Sequence, residues 1–187
     1  MAINIVQKNN PVLRQKAKEV LQKEIASGKI KVILRQMRKA LDGEKDGVAI
    51  AAPQIEVPFR IFIISRKVLG TKEKPAAKDL VFVNPVITKL SKKKESLEEG
   101  CLSVRWLYGV VRRAHKATVR AYDEQGKVFT RGASGLIAQI FQHEIDHLDG
   151  ILFIDKAKNL HELPPEKRKQ EGSIRNQRKT NQAPANS

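Results

Sequence analysis

The sequence predicts an α+β protein with helix packed on sheet. Three features carry that expectation: a strong helical period from Ala133 to Asp149, a series of short β-patterned segments through the middle of the chain, and enough apolar residues for one sizeable core in 187 positions. At the amino-terminal end, Asn10-Pro11 reads as a cap followed by a first-turn proline, opening a short helix that runs to Val20. Ile30, Ile33, Leu34, Met37 and Leu41 recur at helical spacing, and Gly43 and Gly47 stop that second helix. Phe59 to Ile64 is a strand, and Leu80 to Leu90 is another, interrupted at Pro85. Ala117 to Tyr122 pairs with Lys127 to Arg131 across Asp123-Glu124-Gln125-Gly126. The helix of 133–149 is closed by Gly150, and Ile151-Leu152-Phe153-Ile154 is apolar enough for a final strand.

Composition bounds the function. Hydrophobic residues make up 41% and charged residues 30%, as in ordinary globular chains, and no apolar run approaches the ~20 residues of a membrane helix. The first eight residues carry neither a basic-then-apolar pattern nor a small-residue cleavage site, so a cytoplasmic protein is expected. A single cysteine, Cys101, excludes an intramolecular disulfide and leaves the thiol as buried filler, nucleophile or ligand. The 36 basic residues against 20 acidic give a net charge of +16, a field suited to a polyanion such as ribosomal RNA. That charge is spread over the chain. Residues 158–187 hold seven basic and three acidic positions, and the expected organisation is one folded domain over 1–157 followed by a basic, polar tail over 158–187, partly disordered beyond a short helix.

The candidate chemistry lies on the last helix. His143-Glu144-Ile145-Asp146-His147 sets two imidazoles at i and i+4, on one face, where they can share a metal ion. At about 100° per residue, Leu136, Ile140, His143 and His147 fall within roughly 60° of each other, while Gln139, Gln142 and Asp146 point away. Glu144 lands on the inward arc too, where an ionised carboxylate is costly without a cation or proton partner. The plainer account, two core histidines with backbone partners and a boundary glutamate, must excuse three inward polar groups at once. A metal site explains them together, and it requires a further ligand from elsewhere. His115, His161, several acids and Cys101 form the pool. A solitary cysteine is more often inert filler, but Cys101 sits in Glu99-Gly100-Cys101-Leu102-Ser103, a small-residue turn that brings backbone close to an ion. Taken alone, Gln54 would read as an exposed loop amide and Gly47 as a helix stop.

Three segments in order resemble the peptide deformylase family: Gly47-Val48-Ala49-Ile50-Ala51-Ala52-Pro53-Gln54, Glu99-Gly100-Cys101-Leu102-Ser103 and Gln142-His143-Glu144-Ile145-Asp146-His147. The similarity runs from Ile5 to about Asp155. It implies mixed and antiparallel sheets packed around a central metal-binding helix, and metal-dependent removal of the N-formyl group from the initiator methionine of nascent polypeptides, with release of formate. Carried over by position, Cys101, His143 and His147 hold one divalent ion, ferrous iron by kinship with zinc or nickel as other occupants. The resemblance further implies Glu144 as general base and acid, and Gln54's amide with the Leu102 N–H as donors to the oxyanion. Gly47, Val48, Ala49, Ile50 and Gly100 would border the peptide cleft, Leu136 and Ile140 with Val48 would form the methionine pocket, and Glu99 would face Arg113.

The chain departs from the family pattern at the rim of this cleft. Ala49 stands where the first motif has its second glycine, which adds a methyl group to the cleft edge and makes a positive φ costly. Arg105-Trp106-Leu107-Tyr108 replaces a segment that commonly contains proline, and Arg112 stands where proline often precedes Arg113. A reshaped rim around an intact metal centre is expected. Two other functions remain to be weighed: a metallopeptidase acting on ordinary peptide bonds, against which the Cys101 motif argues, and a deformylase-like protein of altered or lost activity that binds the ribosome or its RNA. The expected partners are N-formylmethionyl nascent peptides, with the ribosome or its RNA held by the basic surface and tail; no membrane is involved and a monomer is expected.

Overall fold

The computed structural model describes residues 3–70, 74 and 76–164. Two antiparallel sheets and two α-helices make up the described fold, which is α+β as the patterning predicts. Helix α1 spans Gly28–Asp42, with the Ser27 hydroxyl accepting from the Ile30 N–H at 3.4 Å. Its Ile30, Ile33, Leu34, Met37, Ala40 and Leu41 form one buried stripe. The larger sheet contains β1 (Ala49–Ala51), β2 (Ile61–Ile64), β3 (Leu80–Leu90), β6 (Lys116–Tyr122) and β7 (Val128–Ser134), hydrogen-bonded in the order β1-β2-β3-β6-β7. Strands β4 (Lys94–Cys101), β5 (Val104–Ala114) and β8 (Lys158–Glu162) form the smaller sheet in the order β4-β5-β8. Helix α2, Gly135–Leu148, packs against strands of both sheets.

Side-chain alternation explains the layering. In β2, Ile61 and Ile63 face the cluster that includes α1, whereas Phe62 and Ile64 face the cluster that includes α2. β1 follows the same rule: Ile50 lies with α1, and Ala49 and Ala51 lie with α2. The large sheet is therefore buried on both faces at this end, and two alanines give α2 room to approach. Phe62 and Phe82 are directly opposed in the β2–β3 ladder and stack at 4.4 Å between centroids. Phe141 of α2 meets Phe82 edge-on at 5.3 Å, which fixes where the helix lands on the sheet.

The end of α2 is held as firmly. Arg60 donates to the Leu148 carbonyl at 3.1 Å and to Asp149 Oδ1 at 2.6 Å, placing a cation at the negative end of the helix. Gly150 has a φ of +76°, and a Cβ there would lie 2.7 Å from the Arg14 carbonyl oxygen, so the turn after α2 requires glycine.

Several sequence expectations differ in local detail. Asn10 does cap a turn, through a 3.0 Å bond from the Val12 N–H, but only Pro11–Arg14 is helical, as a single 3-10 turn. Residues beyond it run extended, with the Ala17 N–H bound to the Leu148 carbonyl at 2.8 Å. Pro85 does not break β3; Asn84 takes a φ of +49° and the register shifts between Val83 and Val86, so the strand continues past the proline. The apolar run 151–154 is not a strand. Asp155 accepts from the Leu152 N–H at 2.9 Å and closes a 3-10 turn over Phe153–Asp155. Beyond it, Lys158–Glu162 pairs with β5 instead of opening the expected tail or its short helix, so the folded chain continues past residue 157. The remainder of the expected tail, residues 165–187, lies outside the described residues.

Phe82→Ala removes the ring shared by β2, β3 and α2, and a stability loss of about 3–5 kcal/mol is expected in a urea titration.

Candidate metal centre and cleft

Cys101 ends β4, and His143 and His147 sit one turn apart on α2. Packing α2 beside the small sheet brings one ligand atom from each to within 4.8 Å of the other two. The Cys101 sulfur lies 3.1 Å from His147 Nε2. His143 points Nδ1 at Glu99 Oε2, 2.9 Å away, which leaves its Nε2 for the centre. Glu99 in turn receives Arg113 Nε at 2.7 Å and Nη2 at 2.9 Å, and Arg113 Nη1 reaches Asp146 of α2 at 2.6 Å. Glu99 and Arg113 are both buried, so this pair is fully committed to orienting His143 and fastening the helix to the sheet.

The turn after Cys101 is braced from two sides. Gln54 accepts from the Ala51 N–H at 2.8 Å through Oε1, and its amide nitrogen donates to Ser103 Oγ at 3.0 Å and faces the Cys101 sulfur at 3.7 Å. Gln7 donates to the Leu102 carbonyl at 3.1 Å and accepts from the Arg105 N–H at 3.3 Å. Gly100 pairs with Tyr108 across the hairpin, and a Cβ on it would lie 2.4 Å from the tyrosine ring, so only glycine lets the ring lie over β4 here.

Electrostatics follow from this packing. Burial alone would raise the Cys101 thiol, but the adjoining His147 and hydrogen bonds with both histidines outweigh that and bring it down to about 5. Burial opposes a charge on His143 as well, yet its bonds to Cys101 and Glu99 raise it well above the ordinary histidine value. Glu144 is pushed up to about 7 by burial, against the pull of His143 and His147. Among the described residues, two buried side-chain atoms have no hydrogen-bond partner: Glu144 Oε2 and His147 Nδ1. A thiolate and two imidazole nitrogens converging beside a buried carboxylate oxygen with no partner fit a divalent transition-metal site; thiolate and imidazole favour zinc, iron or nickel over magnesium or calcium.

A cleft opens onto this centre, lined by Gly47, Val48 and Ala49 leading into the large sheet, by Glu98 and Gly100 of the small sheet with Leu102, and by Leu136, Ile140 and Glu144 of α2. Residues 2–162 match the family described as polypeptide deformylase. The chain belongs to the polypeptide deformylase family. A peptide deformylase of Desulforudis audaxviator is 40% identical over 158 residues, covering 84% of this chain and 94% of that one. Among solved structures, the Met-Ala-Ser-bound deformylase of Acinetobacter baumannii superposes with a TM-score of 0.74 at 31% identity, covering 83% of this chain and 99% of that one. A probable deformylase of Synechococcus phage S-SSM7 gives a TM-score of 0.72 at 35% identity, over 82% and 99%. Deformylases are metal-dependent hydrolases that remove the N-formyl group from nascent chains, and this chain is such an enzyme.

Most residues singled out from the deformylase motifs meet at the cleft: Gly47, Val48, Ala49, Gln54, Gly100, Cys101, Leu102, Leu136, Ile140, His143 and Glu144 all line it. Ile50 does not. It is fully buried with α1 on the opposite face of β1, because the strand's alternation turns it away. Ala49 of β1 pairs with Ile64 of β2 and is not among the residues with positive φ, so its methyl group carries no backbone strain. Gln142 and Asp146 lie on another side of α2 from the histidine stripe, as expected, and that flank is covered by the small sheet: Gln142 bonds the N–H and C=O of Ala114, and Asp146 meets Arg113. His115 and His161 stay outside the ligand set, beside Glu95 and Glu98 respectively. Arg105, Trp106 and Tyr108, from the segment expected to reshape the rim, do line the cleft; Asp46 lines it too and carried no signal in the sequence.

Burial would raise Glu99, but the bonds from Arg113 and His143 outweigh it and hold it at about 2, against an ordinary 4.5. Its contribution to stability is therefore fully present above about pH 4.5 and is lost as pH falls toward 2. Glu99→Ala leaves the Arg113 charge buried with half its partners gone, and a loss of about 3–5 kcal/mol is expected at pH 7. Glu99→Gln should flatten the acid limb of a plot of stability against pH.

Proposed function

We propose that Cys101, His143 and His147 hold one ferrous ion, with zinc or nickel as alternative occupants, and that Glu144 performs the proton transfers of formyl hydrolysis. The convergence of three ligand atoms within 4.8 Å beside the unpartnered Glu144 Oε2 carries this reading. The ion supplies Lewis acidity, lowering the pKa of the hydrolytic water from 15.7 toward about 7. Glu144, poised near neutrality, takes the proton released by that water and passes it to the methionine nitrogen as the C–N bond of the formamide breaks. Formate and a free amine leave. The Gln54 amide and the Leu102 N–H, on the two sides of the Cys101 turn, are the donors assigned to the tetrahedral oxyanion, each worth about 3 kcal/mol in such a role.

Substrate is assigned to the same cleft. Val48, Leu136 and Ile140 offer an apolar recess for the methionine side chain, and Gly47, Ala49 and Gly100 leave backbone within reach of an extended peptide. The A. baumannii relative, described as bound to Met-Ala-Ser, supports a methionine-first peptide there. We assign the chain to the cytoplasm as a monomer, and assign to its +16 charge an electrostatic hold on ribosomal RNA where nascent chains emerge. No helix among the described residues is long and apolar enough to cross a membrane. No observation favours an inactive RNA binder, since the ligand set and Glu144 are intact.

Purified under anaerobic conditions with ferrous iron, the protein is expected to release formate from formyl-Met-Ala-Ser. Glu144→Gln should lower kcat by about 100- to 10,000-fold while metal content stays at one ion per chain. Full activity in that variant would overturn the assignment. Cys101→Ala is expected to lose the ion itself, read by elemental analysis after dialysis. Co-sedimentation with ribosomes should weaken steeply as salt rises; binding indifferent to salt would sink the electrostatic hold.

A further inference from the structure

The two walls of the cleft belong to different sheets. Gly47 to Ala49 lead into β1 of the large sheet, whereas Glu98 to Gly100 belong to β4 of the small one. At the deep end the walls are tied by Gln54, which reaches Ser103 and the Cys101 sulfur. At the mouth a second tie joins residues about sixty positions apart in sequence. Arg105, at the start of β5, places Nη1 3.3 Å from both carboxylate oxygens of Asp46 and bonds Glu44 through Nη2. Its guanidinium also lies 5.1 Å from the Trp106 ring. Trp106 holds a φ of +64°, a conformation costly for an aromatic residue, and its backbone carbonyl accepts from the Leu163 N–H at 2.8 Å beyond β8. Gly47 completes the corner: a Cβ there would lie 3.0 Å from the Glu44 Cβ and 2.9 Å from Leu41 Cδ1, so the turn bearing both acids is packed tightly against α1.

We propose that Arg105 is a positioning residue for the peptide substrate: by strapping the Glu44–Asp46 turn to the start of β5, it fixes the width of the cleft mouth between the two sheets. The inference rests on the assignment of substrate to this cleft. An extended peptide lying between two walls bonds to both only if their separation is held, because N–H···O hydrogen bonds span only about 2.7–3.2 Å between heavy atoms. Among the described residues the Arg105 guanidinium bonds Glu44 and Asp46 and neither a metal ligand nor Glu144, so its loss acts on binding and leaves the chemical step alone. Its side chain is 21% exposed and those of its partners are 33% and 36% exposed, so the strap weakens as salt screens it.

The test measures steady-state hydrolysis of formyl-Met-Ala-Ser by the metal-loaded enzyme and, separately, calorimetric binding of the product peptide Met-Ala-Ser. Arg105→Ala is expected to raise KM and the peptide Kd by about 10-fold, with kcat within about 2-fold of wild type. The double variant Glu44→Gln/Asp46→Asn keeps Arg105 and should produce the same shift, and Arg105→Lys should restore part of it. Raising salt from about 0.05 to 0.5 M should raise the wild-type KM and leave that of Arg105→Ala unchanged. Unchanged Kd in both the alanine and the double variant overturns the strap, as does a loss confined to Arg105→Ala, which would mean direct contact with the peptide. Failure of formate release with the Kd shifts intact would count against the chemical assignment and in favour of the strap.

Discussion

Glu99 and Arg113 meet between adjacent strands of the small sheet, both buried, and Arg113 extends to Asp146 on α2 while Glu99 extends to His143 on the same helix. Two charges so placed are tolerated only because every arm has a partner; removing one strands the others in a medium that solvates them poorly. This network turns the docking of a helix on a sheet into the placement of a ligand atom. Cys101 is carried by the same strand as Glu99, two residues on, so one strand delivers both the sulfur and the carboxylate that aims the first histidine. The chemistry therefore depends on the register of β4 against α2.

The large sheet supplies the complementary constraint. The Phe62–Phe82 stack with Phe141 against it decides where α2 rests, Ala49 and Ala51 let it rest closely, and Arg60 with Gly150 ends it. These contacts are apolar or helix-terminal and carry no chemistry. Their function is to hold the histidine face of α2 toward β4, and the cleft is lined by residues leading into the large sheet and by residues of the small one. Gly100 and Gln54 then serve at its floor, the first by admitting the Tyr108 ring over β4, the second by clamping the turn that bears Leu102.

Glu144 shows how burial is put to chemical use. A carboxylate withdrawn from water and left with an unpartnered oxygen is unfavourable for folding, yet withdrawal lifts it to about 7, where it can both accept and give a proton near neutrality. Nearby, the opposite effect governs Cys101: its interactions with His147 and His143 outweigh burial and favour the thiolate, the form a metal binds. Two acidic groups in one pocket are thus driven in opposite directions by their neighbours.

The α1 and α2 helices, the antiparallel pairing of 116–134 and the histidine–glutamate–histidine face were legible in the sequence because each is a local period, written in consecutive residues. The three motifs likewise identified which residues to examine. The β4–β5 hairpin, the return of Lys158–Glu162 as a strand, the Arg113–Asp146 contact and the Arg105 strap were not legible, since each depends on partners far apart in the chain whose own segments carry weak or charged patterns. Ile50 makes the same point in a single residue: its motif placed it at the cleft, but the two-residue repeat of β1 turned it into the core beside Ala49, which stayed. Sequence alone determined the kinds of donor available and their spacing on one helix. Only the tertiary structure decided which of them meet, because convergence on a common point is a property of packed layers and not of neighbouring residues.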